Sequence, residues 1–287
     1  MTKFYAYLLS FSLLFLAFGC GKKEAVSAQP QKIPQRIISF APNITETLCA
    51  LGLGNKIVGN TPYCTSFNST NKCAKIGSFG HFNFEAIVSL HPDLVILHHE
   101  NTKEIQYLKQ LHIPTLPTGS FTIADILETI QKIGTACGVE KKASTLISKL
   151  KTDIESHRKH PTNPPRVLLL FGSNHPKKLY AFGRKSLQHE LLEIVGGQNV
   201  IQQNRPFVEL STEALIRLNP DLIILLVPNA PPLPQQEWNK LSSLSAVQQH
   251  RIFQLTGNYT CIPSPRFIQT LDDFSVLVNN QITCNKK

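Results

Sequence analysis

An internal repeat constrains the fold of this chain more than any other feature of its sequence. Residues 84–97 read FEAIVSLHPDLVIL, and residues 212–225 read TEALIRLNPDLIIL. Upstream, residues 36–40 (RIISF) correspond to residues 166–170 (RVLLL) at nearly the same offset. The repeat is too long for a solenoid, whose units run to about 50 residues. The sequence therefore predicts two related lobes.

Each lobe alternates between strands and helices. In the first lobe, the pattern predicts strands at 36–41, 56–59, 94–97 and 113–116, and helices at 44–52, 83–90 and 102–111. In the second lobe, it predicts strands at 166–171, 222–227 and 252–255, and helices at 186–195, 211–218 and 264–280. This alternation is typical of an α/β fold with mainly parallel sheets.

A long rigid helix is predicted to join the two lobes. Residues 140–160 place apolar side chains on one helical face, and the proline-rich stretch 161–165 then ends the helix. The predicted plan is an N-terminal α/β lobe at 34–139, a bridging helix with its proline-rich end at 140–165, and a C-terminal α/β lobe at 166–287.

The N-terminus has the features of an export signal. An apolar run from about residue 8 to residue 18 follows Lys3 and is shorter than the roughly 20 residues that span a bilayer. Residues 16–20, LAFGC, resemble the lipobox of bacterial lipoproteins. We therefore predict a lipoprotein signal peptide at 1–19, lipidation at Cys20 and a flexible tether at 20–33. The protein would be exported and lipid-anchored at the membrane, facing the periplasm or the cell exterior. A plain signal peptide with a chance cysteine is the alternative.

Seven cysteines in an exported chain suggest disulfides. Cys64 and Cys73 flank a polar loop and are the preferred disulfide pair, and Cys261 with Cys284 is a weaker alternative. A metal site at Cys64 and Cys73 lacks a nearby histidine or a second cysteine pair, so no metal site is predicted.

The net charge of +10 does not indicate nucleic-acid binding. Lysines and arginines are scattered along the chain, and no aromatic side chains alternate with them as in a nucleic-acid face. A solvated basic surface near anionic lipid headgroups is the better interpretation.

An ordered series of motifs resembles the periplasmic binding proteins that serve ABC importers of cobalamin, siderophores and haem. The motifs are RIISFAPNITE at 36–46, IVGNTPYC at 57–64, LLEIVGGQNV at 191–200 and PSPR at 263–266. Within the family, residues 39–46, Tyr63 and residues 264–266 are most similar to cobalamin binders. The resemblance spans about residues 34–280 and implies the class III fold, in which a helical backbone joins two lobes.

The resemblance also implies a function. The chain would be a solute-binding lipoprotein that captures cobalamin or a related corrinoid and delivers it to a permease dimer working with ATPase subunits. It would need no resident cofactor, because the metal chelate is the cargo. A ferric-siderophore or haem binding protein is the alternative. An exported α/β enzyme is a more distant alternative, because the chain lacks a Gly-x-Ser-x-Gly elbow, a His-Glu-x-x-His motif and a phosphate-binding glycine loop.

Ligands of two-lobed α/β proteins bind beyond the carboxyl ends of the strands, so loops after strands supply the candidate site. Aromatic rings there would give contact area, and Asn, His and Arg would give directed hydrogen bonds. With the resemblance, the candidate ligand-binding residues are Pro42, Asn43, Tyr63, Phe79, His81, Phe182, Arg184, Asn258 and Tyr259. A single histidine at His98 or His99 could also ligate the metal of a bound chelate, and His81 and His175 are comparable candidates, although ordinary loop histidines are the simpler interpretation.

Two glutamates occupy equivalent positions of the repeat. Glu85 and Glu213 each start a short helix, where the helix dipole favours an acidic side chain without any functional role. The resemblance implies more, namely that each glutamate contacts arginines of one subunit of the permease dimer.

Overall fold

The computed structural model describes residues 33–65, 73–78, 80–119, 121–172 and 179–284. All of them belong to the unit formed by residues 33–287. The predicted signal peptide, the predicted lipidation site Cys20 and nearly all of the predicted tether lie outside the described residues, and so do Phe79 and His175.

A parallel sheet forms the centre of the N-terminal lobe. Its strands run in the order β3-β2-β1-β6-β7, and β4 and β5 form a separate antiparallel pair. The strands are β1 (Ile37–Ser39), β2 (Ile57–Asn60), β3 (Ala74–Lys75), β4 (Gly77–Ser78), β5 (His81–Phe82), β6 (Leu94–His98) and β7 (Thr115–Thr118). The helices of this lobe are α1 (Pro42–Ala50), α2 (Phe84–Ser89) and α3 (Thr102–Gln110). Leu94–Leu97 are buried, as expected for a strand covered on both faces.

Two helices in succession lead from the N-terminal to the C-terminal lobe. They are α4 (Ile123–Ala136), which begins with a capping box of Thr122 and Asp125, and α5 (Glu140–His157). The two helices approach closely, because a side chain at Gly134 would meet the side chain of Ala143. The predicted long connecting helix is therefore α5, and the proline-rich stretch follows it.

The C-terminal lobe has a mixed sheet in the order β11-β9-β8-β12-β13, with β10 pairing with the start of β8. The strands are β8 (Arg166–Phe171), β9 (Leu179–Phe182), β10 (Gln198–Asn199), β11 (Phe207–Leu210), β12 (Leu222–Leu226) and β13 (Ile252–Leu255). The helices are α6 (Leu187–Ile194), α7 (Thr212–Leu218), α8 (Gln235–Asn239), α9 (Ser245–Gln248) and α10 (Phe267–Cys284). Strands β9 and β11 are antiparallel to their neighbours and were not predicted.

The internal repeat appears again as a repeated set of hydrogen bonds. In the N-terminal lobe, Asp93 accepts from the backbone N–H of Arg36 at 2.9 Å, and the Arg36 guanidinium donates to the carbonyl at the end of α2. In the C-terminal lobe, Asp221 accepts from the backbone N–H of Arg166 at 2.8 Å, and the Arg166 guanidinium donates to the carbonyls at the end of α7. The two Pro-Asp motifs therefore form structural turns before β6 and β12.

A continuous apolar core joins both sheets to the connecting helices. It includes Ile37 of β1, Ile130 of α4, Leu150 of α5, Val167 of β8 and Phe274 of α10, all buried. Fully burying one such aliphatic or aromatic side chain contributes about 1.5–3 kcal/mol. This architecture confirms the predicted α/β fold with two related, mainly parallel lobes joined through a long helix.

Two details differ from the sequence-based expectations. Helix α1 begins at Pro42 rather than after Asn43, because proline suits the first helical position, where no N–H donor is needed. Helix α10 begins at Phe267 rather than at residue 264.

Within the described ranges, no helix has the length and apolar character needed to cross a bilayer.

Candidate functional site

A cavity of about 380 Å³ lies where the ends of several strands from both sheets meet. Residues that follow or end β1, β2, β6, β7, β8 and β9 line it, together with the start of α6, the start of β11 and the loop after β13. The described lining residues are Phe40, Ala41, Pro42, Asn43, Thr61, Tyr63, Phe82, His98, Asn101, Phe121, Phe171, Phe182, Ser186, Leu187, Gln188, Pro206, Phe207, Cys261, Ile262 and Pro263. A cavity at this position agrees with the rule for ligand sites in α/β proteins.

Aromatic rings form much of the cavity wall. Phe171, Phe182 and Phe207 cluster with ring centroids 5.3–5.7 Å apart, and Phe40 and Phe82 lie 4.1 Å apart in the other lobe. The cluster depends on strand register, because Phe207 lies opposite Phe182 in the antiparallel pair of β9 and β11. Flat apolar walls of this kind suit a ligand with a large flat face.

Some of the rings in the wall are open to solvent. Tyr63 is 61% exposed, Phe207 44% and Phe121 38%. Exposed aromatic side chains that border an apolar cavity commonly mark a binding surface. A ligand that covered them would remove this apolar surface from water.

The polar groups among the described lining residues are neutral. His98 Nε2 and Asn43 Oδ1 lie 3.0 Å apart, and Gln188 donates to the carbonyl of Thr260 at 3.0 Å. Burial lowers the pKa of His98 below the ordinary histidine value, although the nearby Glu100 opposes that shift. Among the lining residues that the structure describes, there is no lysine, arginine, aspartate or glutamate.

A buried ion pair joins the two lobes behind the cavity wall. Glu46 of α1 accepts hydrogen bonds from the hydroxyl of Ser264 and, at 3.0 Å, from Nη1 of Arg266. The Glu46 side chain is 1% exposed and that of Arg266 is 24% exposed. Arg266 also donates to Asn258 Oδ1 at 2.9 Å and lies over the ring of Tyr259. This network therefore holds the loop after β13 against α1.

A second hydrogen bond joins the lobes at α4. The backbone N–H of Ile123, in the first turn of α4, donates to Glu190 Oε2 of α6 at 2.7 Å. Burial raises the pKa of Glu190 above the ordinary glutamate value, and the hydrogen bond from Ile123 partly opposes that shift. The two connections lie on different helices, so together they restrain the relative orientation of the lobes.

The structure separates the predicted ligand-binding residues into two groups. Pro42, Asn43, Tyr63 and Phe182 line the cavity, whereas His81, Arg184, Asn258 and Tyr259 are not among the described lining residues. The four residues outside the cavity wall are either exposed or bonded elsewhere. His81 is exposed on β5, and the backbone N–H of Arg184 donates to the carbonyl of Gln203. Asn258 bonds to Arg266, and the Tyr259 hydroxyl donates to Asp273 at 2.9 Å.

Sequence reasoning missed most of the phenylalanines of the wall. Phe40 and Phe171 could have been found, because each stands at the end of a strand predicted to point towards the cleft. Phe207 could not, because its place depends on the pairing of β11 with β9. The position of Phe82 likewise depends on the small pair formed by β4 and β5.

The predicted Cys64–Cys73 disulfide is wrong in the described structure, where both residues carry thiols. Cys64 Sγ is within hydrogen-bond distance of the hydroxyls of Thr45 and Thr61, at 3.1 and 3.3 Å. The Cys73 thiol instead donates to the carbonyl of Ile57 at 3.0 Å. The two sulfurs therefore point to different partners, which spacing along the chain could not reveal.

Three other cysteines carry thiols that are not reactive thiolates. Burial raises the pKa of Cys49, Cys137 and Cys261 to about 11, so these thiols stay protonated at neutral pH. In the described part of the chain, no group of three or more His, Cys, Asp or Glu side chains could hold a metal ion.

The two repeat-related glutamates are both exposed in first helical turns. Glu85 lies in α2, which Asn83 caps, and Glu213 lies in α7, which Ser211 caps. Hydrogen bonds from its own backbone N–H and from Ser211 lower the pKa of Glu213, so it is ionised at neutral pH. Both carboxylates are thus available at corresponding places of the two lobes.

Comparison with known proteins agrees with this geometry. A family model described as periplasmic binding protein matches residues 37–259. The chain is 27% identical over 253 residues to an uncharacterized ABC transporter substrate-binding lipoprotein of Bacillus subtilis, covering 85% of this chain and 80% of that protein. It is 26% identical over 203 residues to a vitamin B12-binding protein of Pectobacterium atrosepticum, covering 67% of this chain and 72% of that protein.

A solved structure has the same fold. The crystal structure of a periplasmic vitamin B12 binding protein of Vibrio cholerae superposes with a TM-score of 0.71 at 23% sequence identity. The match covers 86% of this chain and 97% of that chain.

Proposed function

The chain belongs to the periplasmic binding protein family, and on that premise we propose that it captures a corrinoid, cobalamin or a close relative, for an ABC importer. Members of this family are the substrate-binding components of such importers rather than enzymes. The ligand is the part of the proposal that requires an argument from the site itself.

The choice of ligand rests on the lack of charged side chains among the described lining residues. The polar side chains among them are amides, hydroxyls and a histidine kept neutral by burial. The periphery of a corrin ring carries neutral carboxamides, which amide and hydroxyl side chains can meet with hydrogen bonds. The aromatic wall would cover the flat faces of the macrocycle. A corrinoid exceeds a 380 Å³ cavity, so part of it would remain at the mouth, where Tyr63 and Phe207 are exposed.

A haem or an anionic siderophore fits this wall less well. Haem carries carboxylates and many ferric siderophores are anionic, and burying an unpaired charge in an apolar cavity is costly. The candidate counterions for such a ligand are Arg184, Arg205 and Arg266, yet none of them is among the described lining residues. This comparison favours the corrinoid over haem and over anionic siderophores.

The importer itself would be recognised through the two lobes. Glu85 and Glu213 stand at corresponding positions, and a dimeric permease with ATPase subunits would present the same arginine-bearing surface twice. Interfacial charge pairs mainly steer encounter and set the register of docking. Lipidation at Cys20 would keep the protein close to that partner, and the Bacillus relative is itself named a lipoprotein.

Isothermal titration tests the ligand. Purified protein would be titrated with cyanocobalamin, haemin and a panel of ferric siderophores, and only the corrinoid should bind tightly. Phe207→Ala should weaken corrinoid binding by roughly tenfold through lost stacking area. Tyr180→Ala is the matched control, because Tyr180 is 42% exposed on the neighbouring strand and is not a described lining residue.

The result that would refute the proposal is tight binding of haemin or a siderophore with no measurable binding of cyanocobalamin. Equal losses in Phe207→Ala and Tyr180→Ala would instead refute the assignment of the cavity as the binding site.

A further inference from the structure

Two side chains from adjacent strand ends meet in the cavity wall. Asn43 lies in the first turn of α1, directly after β1, and His98 is the last residue of β6, which pairs with β1. Asn43 Oδ1 and His98 Nε2 are 3.0 Å apart. Asn43 is only 4% exposed and both residues line the cavity, so the pair is held in place at the wall.

The chemistry of the contact determines which nitrogen of His98 carries the proton. A carboxamide oxygen can only accept a hydrogen bond, so Nε2 of His98 must donate. Burial lowers the pKa of His98, with His99 adding to the shift and Glu100 opposing it, so the ring is neutral at neutral pH. In that neutral tautomer, Nδ1 carries a lone pair and accepts hydrogen bonds.

Each member of the pair keeps one polar group for a further partner. Among the described residues, Asn43 Nδ2 and His98 Nδ1 have no hydrogen-bond partner. Neither atom is one of the fully buried polar atoms that lack a partner, so both remain accessible. Polar atoms in an apolar wall are normally satisfied by water or by a ligand. The pair therefore offers amide N–H donors and one acceptor, both uncharged.

From this arrangement we propose that Asn43 and His98 form a specificity pair that accepts a carboxamide group of the ligand and rejects a carboxylate. The inference rests on the proposed corrinoid function. A carboxamide has an oxygen for the Asn43 donors and an N–H for His98 Nδ1, whereas a carboxylate has no donor. A carboxylate would also place a negative charge against the His98 lone pair in a wall whose described side chains supply no cation.

Corrinoids that differ in a single group test the pair directly. The protein would be titrated with cyanocobalamin and, separately, with each derivative in which one peripheral carboxamide is hydrolysed to a carboxylate. Wild-type protein should bind at least one of these derivatives roughly tenfold or more weakly than cyanocobalamin, because one satisfied hydrogen bond becomes a desolvated charge.

Four variants separate the role of the pair from a merely structural role. Asn43→Leu replaces the amide by an apolar group of similar shape, and His98→Phe keeps a ring without nitrogens. Both should lose the discrimination between amide and carboxylate ligands. His98→Gln restores a neutral side chain with a donor and an acceptor and should recover part of the discrimination. His99→Phe is the control, because His99 is the neighbouring histidine, is exposed and does not line the cavity.

The outcomes distinguish this inference from the proposed function. If wild-type protein binds cyanocobalamin but treats every derivative alike, or if Asn43→Leu and His98→Phe keep the wild-type discrimination, the specificity pair is refuted and the function stands. If wild-type protein does not bind cyanocobalamin, the proposed function fails and the inference fails with it.

Discussion

Removing Arg266 should destabilise the protein far more than neutralising its partner Glu46. The Glu46 carboxylate is 1% exposed, whereas the Arg266 side chain is 24% exposed. Arg266→Ala would leave a buried carboxylate without its guanidinium, and breaking a buried pair in this way costs about 3–5 kcal/mol of unfolding free energy. Glu46→Gln keeps the shape and the contact with Ser264, and Arg266 could still reach water and Asn258. Glu46→Gln should therefore cost about 1–3 kcal/mol of unfolding free energy.

Urea denaturation followed by circular dichroism would measure both variants and the double variant. Because the two side chains touch, Glu46→Gln with Arg266→Ala should cost at least about 1 kcal/mol less than the two single losses added together. Arg158→Ala is the matched control, because Arg158 forms an exposed pair with Glu155 at 2.8 Å and its loss should leave the midpoint near that of the wild type.

The same experiment reports on the coupling of the lobes. The Glu46–Arg266 pair joins α1 to the loop after β13, so Arg266→Ala should also lower the slope of the transition or divide it into two steps. The reasoning would be refuted if Arg266→Ala cost no more than Glu46→Gln, or if the two losses were additive.

Three further predictions concern docking, anchoring and pH. The double variant Glu85→Ala with Glu213→Ala should spare corrinoid binding but impair reconstituted uptake more than either single change does. Glu140→Ala, in the exposed first turn of α5, is the control and should leave uptake at the wild-type level. Uptake at the wild-type level in the double variant would contradict docking. Cys20→Ala should leave the precursor unprocessed or release an unanchored protein, and normal lipid labelling of that variant would contradict lipidation. Burial lowers the pKa of His98 in the folded state, so its contribution to stability should be complete above the unfolded value of about 6.5 and should be lost as the pH falls through the folded value. Urea midpoints of wild type and His98→Phe that fell equally between pH 7 and pH 5 would contradict this assignment.

The sequence alone determined the architecture because the signals for it are local or repeated. Apolar runs such as Leu94–Leu97 and Leu222–Leu225, each preceded by a Pro-Asp turn, predict buried strands at matching places in two lobes. The turn chemistry is local too, because Asp93 and Asp221 bond to the start of the neighbouring strand in the same way. Helix α5 followed from its periodicity and from the prolines after it.

Only the tertiary structure decided which side chains meet in the cavity wall. The antiparallel register of β9 and β11 brings Phe207 against Phe182, and no short-range pattern specifies that pairing. Asn43 was a predicted ligand-binding residue, but its contact with His98 arises only because β1 and β6 are neighbours in the sheet. Contacts between residues far apart in the chain depend on how the sheets pack, so a single sequence predicted the place of the site and some of its lining residues, but not most of the phenylalanines that line it.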